Sequence, residues 1–149
     1  SITAMQINSD LATLLEKNKH LESLIIIGHS FGGLIVTLFS ENWESTFPIN
    51  AHAIASGLAK SKFDRKYLNC ENPKKPKYDI SKYVEYKQWR TIKDQDGIFK
   101  RLNNDPQVVT FINGKTTLLP KRWKSTRVGH NFSILVVSDI ILSDLQKNK

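Results

Sequence analysis

Cysteine and methionine are almost absent from this chain of 149 residues, which contains one of each. A single cysteine, Cys70, excludes an intrachain disulfide and a zinc site built on several thiolates. Long apolar runs are missing too, and no stretch reaches the roughly 20 residues that a membrane-spanning helix needs. The sequence therefore offers no disulfide framework, no metal site and no membrane span, and we interpret Cys70 as an unreactive thiol.

Acidic residues are few relative to basic ones. The chain has 14 aspartates and glutamates and 22 lysines and arginines, which gives a net charge of +8. A charge of this sign and size is typical of proteins that bind nucleic acid or an anionic surface. The lysines, however, are scattered along the chain, and no recognisable nucleic-acid-binding motif accompanies them. We therefore predict a solvated basic surface and a small-molecule partner, and no nucleic acid.

One stretch near the N-terminus combines the patterns of a strand, a tight turn and a helix. Residues 25–27 are three consecutive isoleucines, which predicts a strand buried on both faces, as in a parallel sheet. Residues 28–32 read Gly-His-Ser-Phe-Gly, a G-x-S-x-G pattern, and the apolar residues 34–39 can continue as a buried helix. In this context a G-x-S-x-G pattern forms a nucleophile elbow. We therefore predict that Ser30 is a nucleophile, exposed at the carboxyl end of a central strand.

The neighbours of Ser30 fit the same interpretation. An elbow brings strand and helix so close that adjacent residues must be small, a requirement that Gly28 and Gly32 meet. The backbone N–H of Phe31 then lies at a helix N-terminus, where it can stabilise a developing oxyanion. An oxyanion hole needs a second donor, for which the sequence offers no candidate. The alternative is a glycine-rich turn in which Ser30 is incidental.

The sequence resembles the α/β-hydrolase family, and in particular its lipase- and esterase-like members, whose elbow often reads G-H-S-x-G-G. Residues 28–33 match that form, and residues 128–131 (Val-Gly-His-Asn) precede an apolar helical stretch, as the family's catalytic histidine usually does. The family's chain order of serine, acid and histidine fits Ser30 and His130. The resemblance implies a parallel-sheet α/β fold, Ser30 as nucleophile, His130 as general base and an ester or acyl substrate, with no cofactor.

The remaining patterns complete the expected architecture. A full α/β-hydrolase carries several strands before the elbow, whereas this chain has one helical segment there, over residues 2–18. We therefore interpret residues 1–149 as a partial domain, the C-terminal portion of such a hydrolase, whose sheet a missing N-terminal segment would complete. The lysine- and tyrosine-rich residues 58–106 are expected to form a cap, a lid or a partly ordered surface insertion. Further strands and a closing helix are expected, in this order, over residues 51–57, 108–114 and 124–128, and then 134–145.

The triad acid is the member that the sequence does not identify. In many family members it follows the third strand of this half in a pattern like G-x-x-D-x-x-P, and residues 114–120 match that frame with Thr117 at the acid's position. The acid can instead follow the preceding strand, as in some lipases, which makes Asp64 the nearest candidate. Asp94 and Asp96 are alternatives if the insertion folds back. Without any such acid, the site is either a slower Ser–His dyad or one that has lost catalysis.

Two functions from different classes remain open on this basis. The first is a serine hydrolase that cleaves an ester by acyl transfer through Ser30 and His130. A thioesterase or an acyltransferase would use the same residues. The second is a catalytically impaired or inactive remnant that keeps the fold and acts as a binding module, which Thr117 and the missing strands favour.

Overall fold

A parallel four-stranded sheet organises the fold in the computed structural model, which describes residues 2–62, 64 and 72–147. Cys70, and with it our interpretation of its thiol, lies outside the described residues. The strands in chain order are β1 (Leu24–His29), β2 (Ile49–Ile54), β3 (Lys77–Asp79), β4 (Val84–Arg90), β5 (Thr110–Ile112), β6 (Gly114–Leu118), β7 (Arg122–Trp123) and β8 (Thr126–Arg127). The central sheet has the order β1-β2-β4-β6, and all of its neighbouring strands are parallel.

Three α-helices accompany the sheet within the described ranges. They are α1 (Ile2–Lys17), α2 (Phe31–Glu41) and α3 (Ser133–Lys147). The first confirms the helix predicted over residues 2–18, the second begins directly after Ser30 as an elbow requires, and the third confirms the closing helix. None of the helices described is both long enough and apolar enough to cross a membrane. The chain thus has the α/β class expected from its sequence.

The sheet is packed on both faces. Successive residues of a strand point to opposite faces, so Ala53 belongs to the core under α1 and α2, and Ile54 belongs to the core under α3. Leu34 and Phe39 of α2 are fully or almost fully buried in the first core. The second core is built from Ile54, Ala55, Trp89, Leu119, Val128, Val136, Val137 and Ile141.

Strand β4 corrects the expectation that residues 58–106 form only a cap or a surface insertion. It pairs with β2 on one side and with β6 on the other, so it lies inside the central sheet. Val84 and Tyr86 are buried while Glu85 between them is exposed, an alternation typical of a strand with one well-covered face. Its charged residues made the segment resemble a surface excursion, although their spacing indicates a strand.

The strands expected over residues 108–114 and 124–128 are shorter and lie outside the central sheet. β5 pairs with β3 in a separate two-stranded parallel sheet, and β8 forms an antiparallel hairpin with β7. Asn113, whose φ is 58°, turns the chain between β5 and β6, so the two are distinct strands. Thr117 consequently lies within β6, opposite Trp89, and not in a loop after the third strand.

Strand β1 lies at the edge of the central sheet and not in its middle. It pairs with β2 alone among the strands described, and Ile25 and Ile27 are 37% and 48% exposed. Leu24 and Ile26, on the other face, pack against the core under α1 and α2. The expectation of a strand buried on both faces is therefore wrong, because the helices of the described chain leave the Ile25 face partly uncovered. The edge position itself is what the sequence interpretation predicts for residues 24–27 when the N-terminal segment is missing. A preceding segment that completes the sheet stays a prediction.

Candidate active site

Ser30 connects β1 to α2 in a strained backbone conformation. Its φ and ψ angles are 55° and −117°, a region that residues with a side chain rarely adopt. Two backbone hydrogen bonds hold it there. Its N–H donates to the carbonyl of Ile54 at 2.9 Å, and its own carbonyl accepts from the N–H of Gly33 at 3.1 Å. The hydroxyl makes no capping bond to α2, so strand and helix fix the serine without engaging its Oγ.

Two glycines allow β1 and α2 to approach each other this closely. A Cβ on Gly28 would overlap the carbonyl oxygen of Gly32 and would come within 2.7 Å of Val36 Cγ2. A Cβ on Gly33 would overlap Oγ of Ser56. Nothing lies within 4 Å of the position that a Cβ on Gly32 would take. The expected need for a small residue is therefore confirmed at Gly28 and wrong at Gly32, and it extends to Gly33, which the sequence interpretation missed.

The first turn of α2 presents a backbone donor beside Ser30. The N–H of Phe31 has no acceptor among the residues that the structure describes, as is usual at the start of a helix. Because α2 runs for 11 residues, the positive end of its dipole adds to the attraction of this N–H for negative charge. The arrangement is compatible with the oxyanion role predicted for Phe31.

His130 is held by a buried carboxylate. Its Nδ1 lies 2.9 Å from Oδ2 of Asp96, and the two side chains are 9% and 0% exposed. A carboxylate accepts the proton on Nδ1, which leaves Nε2 as the nitrogen that can take up a further proton. The ring of Phe99 meets the imidazole edge to face, with the ring centroids 5.3 Å apart. His130 and Asp96 have the geometry of the histidine–acid pair in a catalytic triad.

Four hydrogen bonds satisfy the carboxylate of Asp96. Oδ2 accepts from His130 and, at 2.6 Å, from the hydroxyl of Thr91. Oδ1 accepts from the backbone N–H groups of Ile98 and Phe99 at 2.9 and 3.1 Å. Burial is the largest single influence on the pKa of Asp96 and raises it, but the hydrogen bonds, that from His130 first, together outweigh burial and lower the pKa. Asp96 is therefore ionised at neutral pH, and its charge can stabilise a protonated His130.

The loop after β4 carries Asp96 to the imidazole. A 3-10 turn over Lys93–Gln95 reverses the chain, and Asp96 follows six residues after the strand ends at Arg90. The buried side chain of Gln107 braces this loop, because it accepts from the N–H of Thr91 at 2.9 Å and donates to the carbonyl of Thr91 at 3.0 Å. Asp96 was one alternative from the sequence, and the alternating pattern of β4 is the signal that would have favoured it.

The other carboxylates considered from the sequence have different surroundings. Asp64 forms an ion pair with Lys74 at 2.6 Å and accepts the N–H of Ser61 at 2.6 Å, so its charge is already compensated. The side chain of Asp94 is 87% exposed. The expectation that Asp64 holds the imidazole is thereby corrected, since Asp96 is the carboxylate in contact with His130.

Ser30 and His130 are linked indirectly, because His29, the residue before Ser30, contacts His130. Nε2–H of His29 donates to the backbone carbonyl of His130 at 3.0 Å, and the two rings meet edge to face with centroids 4.8 Å apart. Between the hydroxyl of Ser30 and the imidazole of His130, both of them described, there is no hydrogen bond. Catalytic hydrogen bonds are often long in unliganded sites and shorten when substrate binds. The serine, the histidine and the acid thus share one end of the sheet.

A cavity of about 560 Å³ opens beside Ser30. Its volume is in the range of small-molecule sites. Three charged side chains, Asp64, Lys74 and Arg101, contribute to the lining. The apolar part of its wall comes from α2 and from the loop after β4, and consists of Phe31, Leu34, Ile98, Phe99, Leu102 and Pro106.

Metal ligands and known relatives give no further guide to the chemistry. In the part of the chain that the structure describes, no three histidine, cysteine, aspartate or glutamate side chains come together as metal ligands would. Neither a protein-family model, nor a curated protein, nor a solved structure matches this chain. The function must therefore be argued from the site itself.

Proposed function

We propose that this chain is a serine esterase of the α/β-hydrolase type, in which Ser30 is the nucleophile, His130 the general base and Asp96 the acid. The observation that carries the proposal is the buried contact of 2.9 Å between His130 Nδ1 and Asp96 Oδ2, at the end of the sheet where Ser30 is held in its strained turn. The chain order of serine, acid and histidine supports the resemblance to this family.

The parts fit the steps of acyl transfer. Ser30 Oγ attacks the ester carbonyl while Nε2 of His130 takes its proton, and ionised Asp96 stabilises the imidazolium that forms. The N–H of Phe31 donates to the oxyanion of the tetrahedral intermediate. His130 returns the proton to the departing alcohol, and water then cleaves the acyl-enzyme by the same route. A thioester would follow these steps with a thiol as the leaving group.

A binding module that lacks turnover is the second candidate. One observation favours it, the missing hydrogen bond between the hydroxyl of Ser30 and the imidazole of His130. Thr117, which argued for this function in the sequence, no longer does so, because Asp96 contacts the imidazole and Thr117 lies in β6. In this case the cavity beside Ser30 binds a ligand without cleaving it.

Labelling by a fluorophosphonate probe separates the two candidates. We expect the probe to react with Ser30, as identified by mass spectrometry of the labelled peptide, because the probe reports an activated serine hydroxyl. Ser30→Ala should abolish the labelling, whereas the exposed Ser9→Ala on α1 should retain it. A folded chain that does not react, or that reacts as well after Ser30→Ala, would refute the esterase proposal.

His29 is expected to position the base. Burial is the main cause that lowers the pKa of His29, so the ring is neutral at pH 7 and can donate Nε2–H to the carbonyl of His130. We expect His29→Ala to lower kcat for a p-nitrophenyl ester by about 10- to 100-fold with little change in KM, since a small displacement of a catalytic group has effects of this size. His29→Gln, which can still donate, should recover part of the loss.

The control for His29 is His20→Ala, at an exposed histidine that lies before β1. Thermal unfolding of each variant should show that the kcat differences are measured on folded protein. If His29→Ala retains the kcat of the unmodified chain, His29 has no positioning role.

A further inference from the structure

One charge at the cavity beside Ser30 has no counter-ion among the residues that the structure describes. Of the three charged side chains that line the cavity, Asp64 and Lys74 pair with each other at 2.6 Å. The third, Arg101, is exposed and forms no hydrogen bond or ion pair with any residue in the described ranges. Within the described residues, the lining therefore carries one uncompensated positive charge, that of Arg101.

The surface beyond Arg101 is positive as well. A second cavity of about 1350 Å³ also has Arg101 in its lining, together with Lys60 and Lys62. Both lysines are exposed and have no ion-pair partner among the described residues. The aspartate nearest in sequence, Asp105, is neutralised by Arg90 at 2.9 Å. Lys60 and Lys62 would therefore add to the attraction of a negatively charged ligand toward Arg101.

The remainder of the first cavity favours an apolar ligand. Phe31, Ile98 and Phe99 lie in its wall, and burial of an alkyl chain against such residues is stabilising. A guanidinium presents its N–H donors as a planar fork that matches a carboxylate. A ligand that satisfies both parts of the cavity has an alkyl chain beside Ser30 and a carboxylate that reaches Arg101.

We propose, on the basis of the esterase function above, that the substrate is an ester whose alkyl acyl chain ends in a carboxylate, and that Arg101 binds this carboxylate while Ser30 attacks the ester carbonyl. Hydrolysis consumes one water, breaks the bond between the acyl carbon and the alcohol oxygen, and releases an alcohol and a dicarboxylic acid. The net charge of +8 assists by drawing such an anionic ester toward the protein.

The test compares two esters of the same chain length, the p-nitrophenyl monoester of suberic acid and p-nitrophenyl octanoate. We expect kcat/KM to favour the anionic ester by about 10-fold or more, the size expected for a hydrogen bond between charged groups. Arg101→Gln should bring the ratio of the two kcat/KM values close to one, and Arg101→Lys should give an intermediate ratio. Arg122→Gln, at an exposed arginine of β7, is the matched control and should keep the ratio.

The outcomes separate this inference from the esterase proposal. A ratio of one or less, in a protein whose Ser30 reacts with fluorophosphonate, overturns the role of Arg101 and leaves the esterase proposal intact. If neither ester is hydrolysed, binding of suberate to the Ser30→Ala variant is measured by calorimetry instead. There we expect the added Arg101→Gln substitution to weaken suberate binding about 10-fold, and equal affinities overturn the anion site whatever the fate of the esterase proposal.

Discussion

Asp96→Asn is expected to lower kcat for ester hydrolysis by about 10⁴-fold, the largest effect among single substitutions outside Ser30 and His130. An asparagine nearly keeps the shape of the side chain but removes the charge that stabilises the imidazolium, and its amide can hold His130 in the wrong tautomer. The measurement is kcat with a p-nitrophenyl ester, on protein whose folding is checked by circular dichroism.

The matched control for Asp96 is Asp64→Asn. Asp64 is also a buried aspartate that accepts several hydrogen bonds, but its ionic partner is Lys74 and not His130. Its substitution should cost stability and leave kcat within about 10-fold, because it moves the catalytic groups only indirectly. A larger loss of kcat in Asp64→Asn than in Asp96→Asn would overturn the assignment of the acid.

Asp96→Asn should also change the response of stability to acid. Since the pKa of Asp96 is lowered in the folded state, its stabilising contribution is present above the pKa of an unfolded aspartate and is lost as pH falls through the folded-state value. In the Asp96→Asn variant, this part of the decrease in stability at low pH should be absent. The free energy of unfolding of Asp96→Asn at neutral pH should be lower by about 1–3 kcal/mol. The amide NH₂ of asparagine would point at groups that donate hydrogen bonds to the carboxylate of Asp96, and it cannot accept them.

Gly28→Ala is expected to lower the free energy of unfolding by about 3 kcal/mol or more, while Gly32→Ala is expected to leave it unchanged or raise it by up to about 1 kcal/mol. The added methyl at Gly28 overlaps the backbone of Gly32 and reaches Val36, and backbone at the junction of β1 and α2 cannot move without disturbing Ser30. At Gly32 the same methyl meets open space in a helix, where alanine is the better residue.

The two glycine variants form a matched pair, since each adds one methyl group within the same turn. Urea denaturation followed by circular dichroism measures both free energies. A loss of about 3 kcal/mol is a large share of the 5–15 kcal/mol typical of a domain, so Gly28→Ala should unfold at clearly lower urea. Equal stability of the two variants would show that the close approach of strand and helix is not a constraint.

The elbow could be predicted from the sequence because its determinants are local. The isoleucines before Gly28, the glycines around Ser30 and the apolar run after them set a strand, a turn and a helix without reference to distant residues. The position of His130 could also be predicted from the sequence, because residues 128–131 lie just before α3. What the sequence could not supply is the contact between His29 and His130, which joins residues 101 positions apart in the chain.

The sequence offered Asp96 only as an alternative to Asp64, because the choice of carboxylate beside His130 depends on which strands enter the central sheet. Residues 84–90 carry Glu85, Lys87 and Arg90 and therefore have the composition of a surface segment, but their pairing with β2 and β6 makes them the third strand. The carboxylate that contacts His130, which we propose as the acid, follows that strand at Asp96 and does not lie near Thr117. Strand pairing depends on residues that are far apart in the sequence. Because β4 was not recognised as a strand, Thr117 was expected in a loop after the third strand, whereas it lies in β6, the fourth strand of the sheet.

The acid and one wall of the cavity belong to the same short loop. Ile98 and Phe99 donate their backbone N–H groups to Oδ1 of Asp96, and their side chains line the cavity beside Ser30. On the esterase proposal, ligand preference and catalytic power are therefore inherited together at this loop, since an exchange or insertion at residues 98–99 would alter both at once. Leu34 lines the same cavity from α2, so a library designed to change ligand preference without altering the contacts of Asp96 should begin there.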